Sequence, residues 1–156
     1  IAVQEEDDGL SRRILGMLLT WMSEKRRPVF MVATANDIMR LPPEIVRKGR
    51  FDEIFFVDLP SAENRGDIWK IHLTKRNLDP NELDLENLVK ETEGFSGSEI
   101  EQAIVSAMYA AHAQGIQVTE DELLNEIKQT KPLSVIMAEK IEEVRDWAAK
   151  RTVPCD

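Results

Sequence analysis

Two short runs in the first sixty residues, Val29-Phe30-Met31-Val32-Ala33 and Ile54-Phe55-Phe56-Val57, are apolar on both faces that a strand would present. Such runs belong to strands covered on both sides, as in parallel sheets flanked by helices, because a strand with one wet face alternates apolar and polar residues. Between them lie a proline-marked short helix, Pro42 to Arg47, and the turn Lys48-Gly49-Arg50. Strand, helix, strand is the α/β pattern. Beyond Asp58 and Pro60 the apolar pattern turns helical throughout, so the chain divides at Leu59-Pro60 into an α/β layer, residues 1–59, and a helical bundle, residues 60–156.

The helical signals are local and specific. From Ser11 to Ser23 the residues Ile14, Leu15, Leu18, Trp21 and Met22 form one stripe of a helix that should lie on another surface. Ser61 can cap a helix through Ile68, Trp69 and Leu73 that ends near Asn77, and Asp84 a short one through Leu88. Ser96 with Glu99, and Thr119 with Glu122, have the spacing of capping boxes, and Gly115 is a plausible stop for the first of these two helices. A last helix is expected from about Val135 to Lys150, between Pro132 and Pro154. The first ten residues, with Glu5, Glu6, Asp7, Asp8 and Gly9, have no apolar period and read as a flexible acidic loop.

Charge and composition narrow the function classes. With 20 Lys+Arg against 29 Asp+Glu the net charge is -9, which argues against a general binder of phosphate backbones, so nucleic acid is not an expected partner. The apolar runs are far too short to cross a bilayer, and the start does not read as a signal peptide. The single cysteine, Cys155, excludes an internal disulfide and a Cys-based zinc site and fits a reducing compartment; no residue is assigned to a metal.

Four constellations could carry chemistry. Val32-Ala33-Thr34-Ala35-Asn36 delivers a polar amide at the carboxyl end of a buried run, where ligands bind in open α/β sheets, although an isolated Asn there is usually a turn residue. Arg47, Lys48 and Arg50 place three cations within four residues on a glycine turn, and in a chain of net charge -9 that local cluster suits an anion on another molecule. Gly94-Phe95-Ser96-Gly97-Ser98-Glu99 is a tight turn into a capped helix whose free N–H groups could face a nucleotide; on those residues alone a plain capped start is the simpler reading. His72 lies in Trp69-Lys70-Ile71-His72-Leu73, where a lone histidine is usually packed or at the surface.

The order and separation of Val32 to Asn36 and of Leu41-Pro42-Pro43-Glu44-Ile45-Val46-Arg47-Lys48-Gly49-Arg50-Phe51-Asp52 resemble the second region of homology of AAA+ ATPases. The resemblance runs from roughly Gly9 to Asp156 and is most specific over residues 29–60 and 92–105. It is greatest to a cyanobacterial, bacterial and plastid-encoded AAA family. It implies the C-terminal part of a P-loop NTPase parallel-sheet core followed by an all-α helical lid. Asn36 then matches the sensor-1 residue, which positions the attacking water or contacts the γ-phosphate. Arg47 and Arg50 match arginine fingers that act on ATP held by a neighbouring subunit, a contribution of about 10³ to 10⁵ in rate at a competent site. The Gly-Phe-Ser-Gly turn resembles the start of the sensor-2 helix, with Gly97 and Ser98 where other branches carry an arginine, and His72 matches a lid position close to adenine and ribose.

The implied activity is ATP binding and hydrolysis in an oligomeric ring of like subunits, such as a hexamer, coupled to remodelling of a protein partner, in the cytoplasm or a plastid stroma. The alternative is a non-catalytic interaction module derived from the same fold. The sequence lacks a Gly-x-x-x-x-Gly-Lys-Ser/Thr loop and a hydrophobic strand ending in Asp-Glu, so the ligands of Mg2+ are expected upstream of Ile1 and the chain alone is expected to be inactive. Without the strand that the family places between them, Val29 to Ala35 and Ile54 to Val57 should not pair with each other.

Overall fold

The computed structural model describes the backbone of residues 2–47 and 49–155 and the side chains of residues 13–47, 49–153 and 155. The chain forms two compact units, Ile1–Phe56 with Ala148–Pro154 and Val57–Trp147 with Cys155–Asp156.

The first unit opens with helix α1, Ala2–Glu24. The acidic start is therefore helical from Ala2 onward, not a loop. Ala, Gln and Glu are good helix formers, acids favour a helix N-terminus, and lengthening an existing helix needs no new nucleus. The apolar stripe of α1 stays open: Ile14 is 59% exposed and Met17 73%, while Leu15, Leu18 and Met22 are half-buried. A one-turn 3-10 helix, Ile38–Arg40, and the short helix α2, Pro43–Val46, follow; Pro43 is in the first turn, where its missing N–H costs nothing.

The expected buried strand at Val29–Ala33 does not form. The segment is irregular, with Phe30 95% and Val32 75% exposed. A strand exists only by pairing, and among the described residues nothing pairs with this one. The second run forms β1, Phe55–Phe56, as expected not against Val29–Ala35 but in parallel with β2, Val153–Pro154. The Val153 N–H donates to the Ile54 carbonyl at 2.9 Å. Among the described residues the sheet is this one pair, so the parallel-sheet core expected of the α/β segment is not seen there.

The second unit is a helical bundle: α3, Ala62–Thr74; α4, Leu85–Glu91; α5, Gly97–Gln114; α6, Glu120–Gln129; α7, Leu133–Ile136; and α8, Ala138–Ala148, which runs to the unit's end. The caps follow the sequence. The Ser61 hydroxyl accepts from the Asn64 N–H at 3.2 Å, and the Asp84 carboxylate from Asn87 at 3.0 Å. Gly115 takes the left-handed conformation at φ 69° that ends α5.

The core follows the helical period: Trp69 and Leu73 on α3, Leu88 on α4, Ile100, Ile104 and Ala107 on α5, and Leu123 and Ile127 on α6, with Phe95 closing the turn before α5. Each large side chain here contributes about 1.5–3 kcal/mol by leaving water. Glu120 at the start of α6 accepts from the Asn87 amide at 2.9 Å, tying α6 to α4.

The single last helix expected from about Val135 to Lys150 is two helices broken at Met137. The start of α7 is held close to α5: the Leu133 N–H donates to Glu99 Oε1 at 2.7 Å, and a Cβ on Gly94 would come within 2.5 Å of the Ser134 Oγ. After Met137 the chain restarts as α8.

Candidate functional site

In the first unit, Asn36 is exposed between the irregular segment and the 3-10 turn, and Arg47 is exposed at the end of α2. Neither side chain makes a hydrogen bond among the described residues. Lys48 of the basic turn lies outside those residues. Gly49 has φ 93°, a backbone conformation glycine adopts without strain, and this turn carries the chain from α2 to Arg50. Arg50 is half-buried against its own chain: its guanidinium donates to the Leu19 carbonyl at 3.1 Å and to the Ser23 hydroxyl. A cation at the C-terminal end of α1 is favoured by the helix dipole. The turn therefore separates the two arginines, leaving Arg47 open and Arg50 engaged.

In the second unit His72 is on the last turn of α3. Its Nδ1 lies 3.3 Å from an Arg76 guanidinium nitrogen and 3.3 Å from Glu101 Oε1 on α5. Arg76 also donates to the His72 carbonyl at 3.1 Å and to Glu101 at 2.7 Å. The Arg76 hydrogen bond holds the Glu101 carboxyl below its ordinary value; partial burial opposes this, and the charges of His72, Arg76 and Lys75 add to it.

At the start of α5, Glu99 accepts from the Ser96 N–H and hydroxyl, both at 2.7 Å, while the Ser96 hydroxyl accepts from the Glu99 N–H at 3.4 Å, the reciprocal box expected there. The Gly97 and Ser98 N–H groups have no hydrogen bond among the described residues, as befits the first turn of a helix. Ser98 is exposed, and a Cβ on Gly97 would meet the Ile68 side chain at 3.5 Å, one turn before His72. Gly97 and His72 therefore border the same α3–α5 seam.

Sequence reasoning missed the residues that hold the helical unit together. Buried Arg65 donates to the Pro60 carbonyl at 3.0 Å and to the Val89 carbonyl at 3.1 and 3.3 Å. Arg145 grips Asp58 with two hydrogen bonds of 2.8 and 3.0 Å. Burial pushes the Asp58 carboxyl up, but the hydrogen bonds from Arg145 and from the Leu59 N–H outweigh it, so the group lies below its ordinary value; Asp58 in turn raises Arg145. A cleft of about 370 Å³ lies beside these groups, lined by Pro60, Arg65, Gly94, Ser134, Ile141 and Arg145 among others. A local pattern could have flagged neither the Arg65–Val89 nor the Arg145–Asp58 contact, because the partners are 24 and 87 residues apart.

Among the described residues no group of His, Cys, Asp and Glu is placed to hold a metal, and no helix is long and apolar enough to cross a membrane. Residues 1–59 match the ATPase family associated with various cellular activities (AAA), and residues 82–126 match the AAA+ lid domain. The chain belongs to the AAA ATPase family. Uncharacterized AAA domain-containing proteins ycf46 of Gracilaria tenuistipitata var. liui and Guillardia theta are 47% and 45% identical to it, over 91% and 92% of this chain and 29% and 28% of their own length. A proteasome-activating nucleotidase of Aeropyrum pernix is 38% identical over 66% of this chain and 25% of its length. This AAA chain thus spans less than a third of the curated relatives it matches.

Proposed function

We propose that the protein carrying this sequence is an ATP-binding and ATP-hydrolysing AAA+ ATPase that works as an oligomeric ring and couples hydrolysis to remodelling of a protein partner. Its location on this reading is the cytoplasm or a plastid stroma. On this reading the whole protein's core is a P-loop parallel sheet in which Val29–Ala33, unpaired among the described residues, and Ile54–Val57 become strands. The observation that carries the reading is the Arg47-Lys48-Gly49-Arg50 turn inside the segment matched to the AAA family, with Arg47 exposed and without a partner among the described residues. An exposed guanidinium fork on a turn suits a phosphate brought by a neighbouring subunit. Asn36 acts as sensor 1, Arg47 and Arg50 as trans-acting fingers, and His72 with the first turn of α5 at Gly97 and Ser98 faces the nucleotide. Two N–H groups at that helix start are suited to a polar oxygen of the ligand. For Arg50 the role requires release from α1. The described residues offer no ligand set for Mg2+, so the proposal leaves the metal to residues elsewhere.

The test is Arg47→Ala in the full-length protein. ATPase turnover falls at least tenfold while nucleotide affinity is kept, and mixing with subunits that cannot bind nucleotide restores part of the turnover. Unchanged turnover, or a loss that mixing does not relieve, refutes the trans role. A full-length protein that neither binds nor hydrolyses ATP is instead an interaction module.

A further inference from the structure

Arg50 is held on α1 by groups that carry no charge. Its Nη1 donates to the Leu19 carbonyl at 3.1 Å and to the Ser23 hydroxyl. A guanidinium has N–H donors and no acceptor, so the Ser23 oxygen supplies a lone pair to that contact. The one hydroxyl proton is left for the Leu19 carbonyl, to which it donates at 2.9 Å. Every donor and acceptor role in this three-membered network is therefore fixed by the chemistry of the groups. Thr20 makes the same backward bond to the Gly16 carbonyl at 3.0 Å, an ordinary habit of hydroxyls in helices. What is particular to Ser23 is the arginine laid on it.

Arg76 and Arg145 are engaged differently. Each donates to a carboxylate, that of Glu101 or Asp58, so a further anion would have to displace an opposite charge. Arg50 meets only neutral oxygens among the described residues and is only half-buried. An ionised oxygen offers a guanidinium charge attraction as well as hydrogen bonds, and a phosphate can take two N–H groups of the fork side by side. A phosphate within reach therefore outcompetes Leu19 and Ser23, and in its absence the guanidinium returns to them.

We propose that Ser23 is a positioning residue for Arg50: with the Leu19 carbonyl it stores the guanidinium on α1 and yields it to a phosphate group presented by a neighbouring subunit. The proposal rests on the reading of Arg50 as a trans-acting finger, and the experiment separates the two. Storage lowers the fraction of Arg50 that is competent to act, so a weaker latch raises turnover and a stronger one lowers it. A permanent anchor that only shapes the turn for Arg47 has the opposite sign, because weakening it would disorder the turn. Ser23→Ala removes one of the two acceptors, and Ser23→Asp sets a carboxylate against the guanidinium. Ser23 is exposed, so neither substitution disturbs a core.

The first measurement uses the full-length protein without nucleotide. Phenylglyoxal modifies accessible guanidinium groups, and mass spectrometry of the Arg50 peptide reads the rate. Ser23→Ala speeds labelling of Arg50 by about three- to tenfold, the range of one hydrogen bond, and Ser23→Asp slows it. Equal labelling in the three forms overturns the latch. The second measurement is steady-state ATP turnover of the same proteins. Turnover rises in Ser23→Ala by up to the same factor and falls in Ser23→Asp, and neither substitution alters the reduced turnover of Arg50→Ala. Turnover that Ser23→Ala lowers or leaves unmoved, or a Ser23 effect that persists in Arg50→Ala, overturns the storage role. Wild-type turnover in Arg50→Ala overturns the finger reading and with it this use of Ser23, whatever the labelling shows.

Discussion

Trp69 and Thr92 are both fully buried in the helical unit, and the indole N–H of Trp69 donates to the Thr92 hydroxyl oxygen at 3.2 Å. That hydroxyl in turn donates to the Leu88 carbonyl at 2.6 Å, at the end of α4. Thr92→Val keeps the shape and removes the acceptor. The Leu88 carbonyl still accepts from the residue 92 N–H at 3.1 Å, so only the indole N–H is left buried without a partner. Such an orphaned donor costs about 1–3 kcal/mol. For a unit of this size about 2 kcal/mol lowers the melting temperature by roughly 8–16 °C. The assay is thermal melting followed by circular dichroism, with the same substitution repeated in a Trp69→Phe background. There the donor is gone and Thr92→Val costs less than about 0.5 kcal/mol. A wild-type melt for Thr92→Val, or an equal loss in both backgrounds, refutes the reasoning.

Two further substitutions test how the unit is pinned. Gly94→Ala forces a side chain onto a residue at φ 78° and drives its Cβ to 2.5 Å from Ser134 Oγ; a loss of at least about 1–2 kcal/mol is expected, with faster hydrogen exchange at the Leu133 N–H. Adding Ser134→Gly restores the Leu133 protection but not the backbone cost, and protection unaltered by Gly94→Ala alone contradicts the tether. The Asp58–Arg145 pair sets part of the acid sensitivity: because the folded carboxyl lies below its ordinary value near 3.8, its stabilisation is complete above that pH and disappears as pH falls through the lower folded value. Both side chains are a third or more exposed, so the contribution is about 1 kcal/mol or less, and Asp58→Asn should flatten the melting-temperature profile below about pH 4; an unaltered profile assigns the acid loss to other groups.

The features legible in the sequence are those whose physics closes within a few residues. Ser61, Asp84 and the Ser96–Glu99 box cap helices through contacts three residues away, and Gly115 ends one through its own φ. The core of α3, α5 and α6 follows from spacings of three and four. Features that depend on a distant partner were not legible. Val29–Ala33 has the composition of a buried strand, yet composition does not supply a neighbour to pair with, and Phe30 stands in solvent. Arg65 reads as a surface residue of α3 until the Pro60 and Val89 carbonyls close on it. Nothing between Leu133 and Ala148 announces a break at Met137, since the span holds no glycine or proline, and the contact that holds Leu133 comes from Glu99, 34 residues away. The site divides in the same way: the residue types of the Arg47 to Arg50 turn can be read, but not the engagement of Arg50 by α1.

The Gly94-Phe95-Ser96-Gly97-Ser98-Glu99 motif shows how fold and ligand demands can be told apart within six residues. Gly94 is required by the fold twice over, by its positive φ and by Ser134. Phe95 is core, Ser96 and Glu99 cap α5, and Glu99 also tethers α7. Gly97 answers no such demand: its φ is unexceptional, and a Cβ there would meet only the flexible end of Ile68 at an ordinary 3.5 Å. The fold itself does not require a glycine there, and the two N–H groups open at this first turn, as at any helix start, leave room for the close approach that a bound nucleotide would make. That is the role the proposed nucleotide contact assigns to Gly97, and it makes this glycine, not Gly94, the position of the motif to question about ligand binding.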